Sequence, residues 1–171
     1  MLVLKIGGQD LDDPEFIKRL GEAVAALPEP PILVHGGGKE IKELQTRLGL
    51  NPQYIDGLRV TDEESLDVVQ MVLIGRINKR LVSCLLLAGV DAFGMSGVDR
   101  TAVKAEKLEH PGGDLGQVGR VTHVYRSVRE SAQRAVIDPY VDFGALDLVG
   151  VVVPAGTASD RSVIEADGSL G

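Results

Sequence analysis

Apolar and polar positions alternate between two periods along this chain. The opening run Leu2-Val-Leu-Lys-Ile6 predicts a buried strand that ends in Gly7-Gly8. From Glu15 to Leu27, Phe16, Leu20, Val24 and Leu27 return every three or four residues, the spacing of an amphipathic helix. Pro28-Glu-Pro-Pro31 stops that helix, and Ile32 to His35 reads as a second strand. Gly36-Gly37-Gly38 follows, then Lys39 to Leu48 with Ile41, Leu44 and Leu48 on one helical face. Strand, helix, strand, glycine turn, helix is a βαβα order. It predicts a parallel sheet covered by helices.

A loop around Asn51-Pro52 leads to Gly57-Leu-Arg-Val-Thr-Asp62, where Thr61 and Glu64 have the spacing of a capping box. The helical pattern then runs through Leu66, Val69, Val72, Leu73, Ile77, Leu81 and Leu85 to Gly89. Around Val68 to Ile74 it is apolar on more than one face, so this helix is either central or a subunit interface, the second being favoured. Gly75 marks a break into two helices. Strands are expected at Val90–Met95, Thr101–Leu108 and Val118–Val124, a helix at Ser127–Ile137, and a β-branched strand at Leu148–Val153. No terminal helix follows to cover that last strand, which predicts an exposed edge. There are no internal repeats and no low-complexity tract.

At 171 residues with 44% hydrophobic and 25% charged residues, the chain has the size and make-up of one globular domain. A net charge of -7 argues against a nucleic-acid surface but leaves room for a local phosphate site. No apolar run approaches the ~18 residues of a membrane helix and no leader precedes the first strand, so the expected location is cytoplasmic, with no membrane partner. The single cysteine, Cys84, reads as a small core residue.

The chemistry concentrates at the glycines. A glycine turn between a strand and a helix offers backbone N–H groups to an anion at the end where the helix dipole favours negative charge. That is phosphate or carboxylate geometry, although the same turn also serves as a tight connection. The Walker pattern is not met, because Gly38-Lys39 is followed by Glu40.

Taken together, Lys5-Ile-Gly-Gly8, His35-Gly-Gly-Gly38, Gly57-Leu-Arg-Val-Thr-Asp62, Asn78-Lys79 and Leu115-Gly-Gln-Val-Gly119 resemble the amino acid kinase family. The resemblance runs from Met1 to about Val124 and points to the branch acting on N-acetyl-L-glutamate in arginine biosynthesis. It implies an α/β fold, a three-layer α/β/α sandwich with a mainly parallel central sheet that is incomplete at the C-terminus. It implies transfer of the ATP γ-phosphoryl group to the substrate's side-chain carboxylate, with Mg2+ accompanying ATP. Residues 1–124 would bind the acyl amino acid and dimerise; 125–171 would begin a divergent or truncated nucleotide-binding half.

By the same resemblance, Lys5 stabilises the transferring group, Gly7 and Gly8 bind phosphate, and Gly37 and Gly38 bind substrate. Arg59 grips the α-carboxylate, since a planar guanidinium holds a carboxylate bidentately. The segment Val163-Ile-Glu-Ala-Asp167 is similar to a family stretch whose aspartate orients the catalytic lysines, which makes Asp167 a catalytic candidate. His35 reads as structural, because a carboxylate nucleophile has no proton to lose near neutral pH. Asn78 and Lys79 are left outside the site, and no dedicated metal site is expected.

Departures from the family shape the alternatives. Members run on for about a hundred further residues, a domain-scale length, so truncation is expected, and the second catalytic lysine has no counterpart here. No N-terminal helix of the kind that builds hexamers precedes the first strand, so a homodimer without arginine feedback is expected. The alternatives are a kinase for carrier-linked aminoadipate in lysine synthesis, and a non-catalytic remnant that binds ligand or dimerises. Gly38 argues against the aminoadipate branch, which tends to carry serine there.

Overall fold

The computed structural model describes residues 2–8, 10–99, 103–124 and 150–154. In chain order, β1 (Val3–Ile6) leads through a 3-10 turn (Asp10–Asp12) to α1 (Pro14–Ala25), then β2 (Ile32–His35) and α2 (Gly38–Arg47). A hairpin of β3 (Gln53–Ile55) and β4 (Leu58–Val60) precedes α3 (Glu63–Gln70), a π-helical segment (Met71–Ile77) and α4 (Asn78–Leu87). The strands β5 (Ala92–Met95), β6 (Val103–Lys107), β7 (Gly119–Val124) and β8 (Gly150–Pro154) follow. The helix expected at 127–137 lies outside the described residues.

The main sheet has the order β1-β2-β8-β5. β1 and β2 are parallel, with Lys5 opposite Val34 and Ile6 opposite His35. β8 is antiparallel to both β2 and β5, so β1, β2 and β5 all run one way and β8 runs against them. The strand expected to expose an edge is therefore an interior strand of this sheet. Chain order alone suggested otherwise; a run of β-branched valines suits pairing on both sides. Consecutive residues Ile32 and Leu33 are both buried, so β2 is covered on its two faces. β3–β4 and β6–β7 form two separate antiparallel pairs.

Two of the helix starts carry a side-chain cap. Asp13 caps α1 by accepting a hydrogen bond from the Glu15 amide at 2.9 Å, with Pro14 in the first turn. α3 is capped by Asp62, which accepts from the Ser65 amide at 2.8 Å. The Thr61–Glu64 capping box is thus one residue early. Thr61 is occupied elsewhere: its amide donates to Leu115 at 3.0 Å and its carbonyl accepts from Gln117 at 2.6 Å.

Gly75 does not break the long helix. The chain stays helical from Glu63 to Leu87 and widens into π turns around it, the Asn78 amide donating five residues back to Leu73. The added residue lets Val68, Val69, Val72, Leu73, Ile77 and Leu81 all enter the chain's own core, each about 1% exposed or less. Complete burial of such side chains contributes ~1.5–3 kcal/mol apiece. The two-faced apolar stretch is therefore central. Apolar surface that stays exposed in this region sits at Met71, Leu86 and Leu87.

Candidate functional site

Because β1 and β2 are parallel neighbours, their carboxyl ends deliver Gly7-Gly8 and Gly36-Gly37-Gly38 to the same edge of the sheet. The two turns touch. A Cβ on Gly8 would lie 3.3 Å from the Gly37 Cα and 3.4 Å from the amide nitrogens of Gly37 and Gly38. A Cβ on Gly37 would overlap Ile77 Cδ1 and stand 2.7 Å from Leu73 Cδ2. Gly37 has an extended φ of -176°, so it is space and not handedness that demands glycine there. It is also the N-cap of α2, and it supplies no side-chain oxygen to the first-turn amides. Around Gly38 a Cβ would find open space.

Charged groups brace this edge from both sides. Lys39 pairs with Asp12 at 2.5 Å, tying the start of α2 to the turn that follows Gly8, and that carboxylate raises the lysine's pKa. Glu40, 3% exposed in the first turn of α2, pairs with Arg80 at 2.5 Å and with Arg76 Nε at 3.0 Å. The Arg76 contact is an ion pair without hydrogen-bond alignment, which leaves Glu40 Oε2 without a hydrogen-bond partner. Two guanidinium groups thus answer one buried carboxylate. A third carboxylate, Asp10, stands beside Gly7, its Oδ2 3.3 Å from where a Cβ there would lie.

His35 lies under the turn, 2% exposed. Its Nδ1 is 3.2 Å from the Gly36 carbonyl and its Nε2 is 3.4 Å from Asn78 Nδ2, a pattern satisfied by a neutral ring with the proton on Nδ1. Burial lowers its pKa to about 4; the Gly36 carbonyl works against that shift and the charge of Arg80 adds to it. His35 is structural, as the sequence suggested. Asn78 is buried too, and a Cβ on Gly94 would overlap its side-chain amide, so Asn78 joins β2, α4 and β5. Lys79 donates to Asn78 Oδ1 at 3.1 Å and to the Gly94 carbonyl at 3.3 Å.

Arg59 sits on β4, opposite Tyr54 of β3. Its Nη1 donates to Gln45 Oε1 at 2.7 Å, its Nη2 donates to the Tyr54 hydroxyl at 3.2 Å, and its guanidinium lies 5.6 Å from the Tyr54 ring centroid. Gln45 is seven residues after Gly38, about 10 Å along the α2 axis. α2 therefore presents the glycine turns at its start and the Arg59 hairpin near its end.

Of the residues singled out from the sequence, the structure brings together Gly8, Gly37 and Gly38, with Gly7 adjacent. Lys5 holds an exposed position on β1 three residues before Gly8. Arg59 is held apart from the turns by its bonds to Gln45 and Tyr54, and Asp167 lies outside the described residues. Sequence reasoning missed Glu40, Arg76, Arg80 and Gln45. The one available signal was Arg76 and Arg80 spaced by one helical turn on a largely apolar stretch. Cys84 is partly buried, its thiol donates to the Ile17 carbonyl at 3.0 Å, and burial raises its pKa. It borders a cleft of ≈ 790 Å³ between α1 and α4 that none of Lys5, Gly8, Gly37, Gly38 and Arg59 lines. Among the described residues no group of acidic, histidine or cysteine side chains gathers to hold a metal, and no helix is long and apolar enough to cross a membrane.

Residues 1–145 match the model of the amino acid kinase family, and the chain belongs to that family. Among similar proteins is the acetylglutamate kinase of Roseiflexus sp. (strain RS-1), 50% identical over 137 residues, which cover 80% of this chain and 51% of the relative. The acetylglutamate kinase of Methanopyrus kandleri is 41% identical over 177 residues, covering 100% of this chain and 65% of the relative. That alignment carries the likeness past Val124, where the motifs alone had lost it. The chain spans about half the length of the Roseiflexus relative. Of solved structures, smu.665 from Streptococcus mutans UA159 superposes with a TM-score of 0.60 at 28% identity, over 75% of this chain and 52% of that one. N-acetylglutamate synthase from Neisseria gonorrhoeae, complexed with coenzyme A and N-acetyl-glutamate, shares the fold at a TM-score of 0.60 and 24% identity, over 74% of this chain and 29% of that one. The chain thus has the α/β fold of the family.

Proposed function

We infer that this chain is an acetylglutamate kinase polypeptide, binding N-acetyl-L-glutamate for phosphorylation of its side-chain carboxylate in arginine biosynthesis. The observation that carries this is the contact between Gly8 and the Gly37–Gly38 amides at the carboxyl ends of β1 and β2. The relatives at 41% and 50% identity support the choice of substrate.

ATP would supply the phosphoryl group: a substrate carboxylate oxygen bonds to Pγ as the bond from Pγ to the bridging oxygen breaks and ADP leaves. The chain's part is to bring two anions together. The uncapped amides of α2 and of Gly7 and Gly8 fit a phosphoryl group and a carboxylate, because no Cβ stands in the way. Lys5, beside them on β1, would neutralise charge on the transferring group. Arg59 would hold the substrate's α-carboxylate and so fix which carboxylate faces the phosphate. Mg2+ bound with ATP would supply further neutralisation of phosphate charge, and Asp167 would orient the catalytic lysine. We place the protein in the cytoplasm as a homodimer, with the exposed Met71, Leu86 and Leu87 contributing apolar surface to the partner.

The test is coupled release of ADP from Mg-ATP by the purified chain. Turnover with N-acetyl-L-glutamate is expected; turnover only with an aminoadipate derivative contradicts the substrate. Binding without turnover at high enzyme concentration supports the reading of a non-catalytic ligand-binding chain.

A further inference from the structure

We propose that Gln45 is a positioning residue, whose side-chain carbonyl holds the Arg59 guanidinium in the plane needed to receive the substrate's α-carboxylate. This rests on the reading of Arg59 given above. Gln45 is 0% exposed, and its Oε1 accepts from Arg59 Nη1 at 2.7 Å. Arginine only donates, so the orientation of the Gln45 amide is forced: oxygen toward Arg59, nitrogen into the protein. That nitrogen, Nε2, is buried and has no hydrogen-bond partner among the described residues.

A fully buried amide with an unsatisfied N–H carries a desolvation penalty that leucine at the same position would not. Packing therefore gives no reason for glutamine here; the bond to Arg59 does. Tyr54 supplies the second fixed point, its hydroxyl taking Nη2 and its ring lying against the guanidinium. Two of the five guanidinium N–H donors are engaged in this way, which leaves enough for a bidentate carboxylate. The main-chain carbonyl of Gln45 accepts from the amides of Leu48 and Leu50, so the end of α2 does not depend on the side chain.

Titration calorimetry with N-acetyl-L-glutamate, run beside thermal denaturation, tests this on wild type, Gln45→Leu, Gln45→Glu, Arg59→Ala and the Gln45→Leu/Arg59→Ala double variant. Losing a charge-assisted bond should weaken binding by Gln45→Leu about tenfold, with no drop in melting temperature. Gln45→Glu keeps the acceptor and should bind within about threefold of wild type. Added to Arg59→Ala, the Gln45→Leu change should have no further effect. Without ligand, NMR relaxation of the Arg59 Nε–H should show a restrained guanidinium in wild type and a freer one in Gln45→Leu. Equal restraint in both, or wild-type affinity in Gln45→Leu while Arg59→Ala is weakened, overturns the role of Gln45 alone. Wild-type affinity in Arg59→Ala, or no binding by the wild-type chain, overturns the reading of Arg59 and this proposal with it.

Discussion

Around Gly8 and Gly37 the geometry is set by atoms that leave no room, whereas around Arg59 it is set by two hydrogen bonds. Gly37 has Leu73 and Ile77 against it, both about 1% exposed or less, and Gly8 has Gly37. A π-helical segment presses on the first turn of α2 and the chain cannot move away from it. The β3–β4 hairpin has a smaller core of its own, in which Leu115 and Val118 are packed by Ile55, Leu58, Val60 and Leu108, and it leaves Tyr54 about half exposed. The difference suits the chemistry proposed. Phosphoryl transfer depends on sub-ångström placement of backbone donors, which steric crowding supplies. Substrate entry requires a part that yields, and a side-chain clamp on a hairpin yields more readily than a packed turn.

The largest expected effect falls on the yielding side. Arg59→Ala should weaken N-acetyl-L-glutamate binding by ~2–5 kcal/mol, the cost of stripping one partner from a charge pair, with a smaller loss of stability of about 1 kcal/mol because the buried Gln45 Oε1 loses its partner. Calorimetry reads the first and scanning fluorimetry the second. An equal loss of stability would erase the contrast between the two regions.

On the crowded side, His35 makes stability depend on pH. Its pKa is about 4 in the folded state against 6.5 for an ordinary histidine, so between those values the unfolded chain binds more protons. Stability from this group is complete above pH 6.5 and falls as the pH drops toward 4, by about 3 kcal/mol in total at 1.36 kcal/mol per unit. His35→Gln should flatten that part of the profile in urea titrations at pH 7 and pH 4.5. An unchanged slope would contradict the burial argument.

Gly37→Ala should destabilise by ~1–3 kcal/mol through overpacking, while Gly38→Ala, with open space around its Cβ, should stay within ~0.5 kcal/mol of wild type. Denaturant unfolding of both variants separates crowding from a general intolerance of side chains. The smallest effect expected is at the cap of α3, where Asp62→Ala should cost about 1 kcal/mol. A Thr61→Ala change that cost more than Asp62→Ala would restore the discarded capping box.

How much of this was legible follows the range of the interactions. Local signals carried β1, α1, β2 and α2 to within a residue or two, because period and punctuation are written in neighbouring positions. One local signal was passed over: Ile55-Asp-Gly-Leu58 is a two-residue hairpin with positive φ at Asp56 (50°) and Gly57 (83°), the preference of a type I′ turn. The position of β8 between β2 and β5 is a long-range pairing that no window of sequence encodes. The same holds for Glu40 with Arg76 and Arg80, and for Gln45 with Arg59, where partners stand 14 to 40 residues apart. At the site, glycines were readable as turns, but that Gly37 is required by Ile77 became visible only in three dimensions.

A crystal structure of the chain with N-acetyl-L-glutamate would show where each carboxylate binds. The α-carboxylate is expected on the Arg59 guanidinium, with the side-chain carboxylate within hydrogen-bond reach of the amides of Gly8, Gly37 or Gly38. A ligand bound away from these glycines, or with both carboxylates away from Arg59, would contradict this placement.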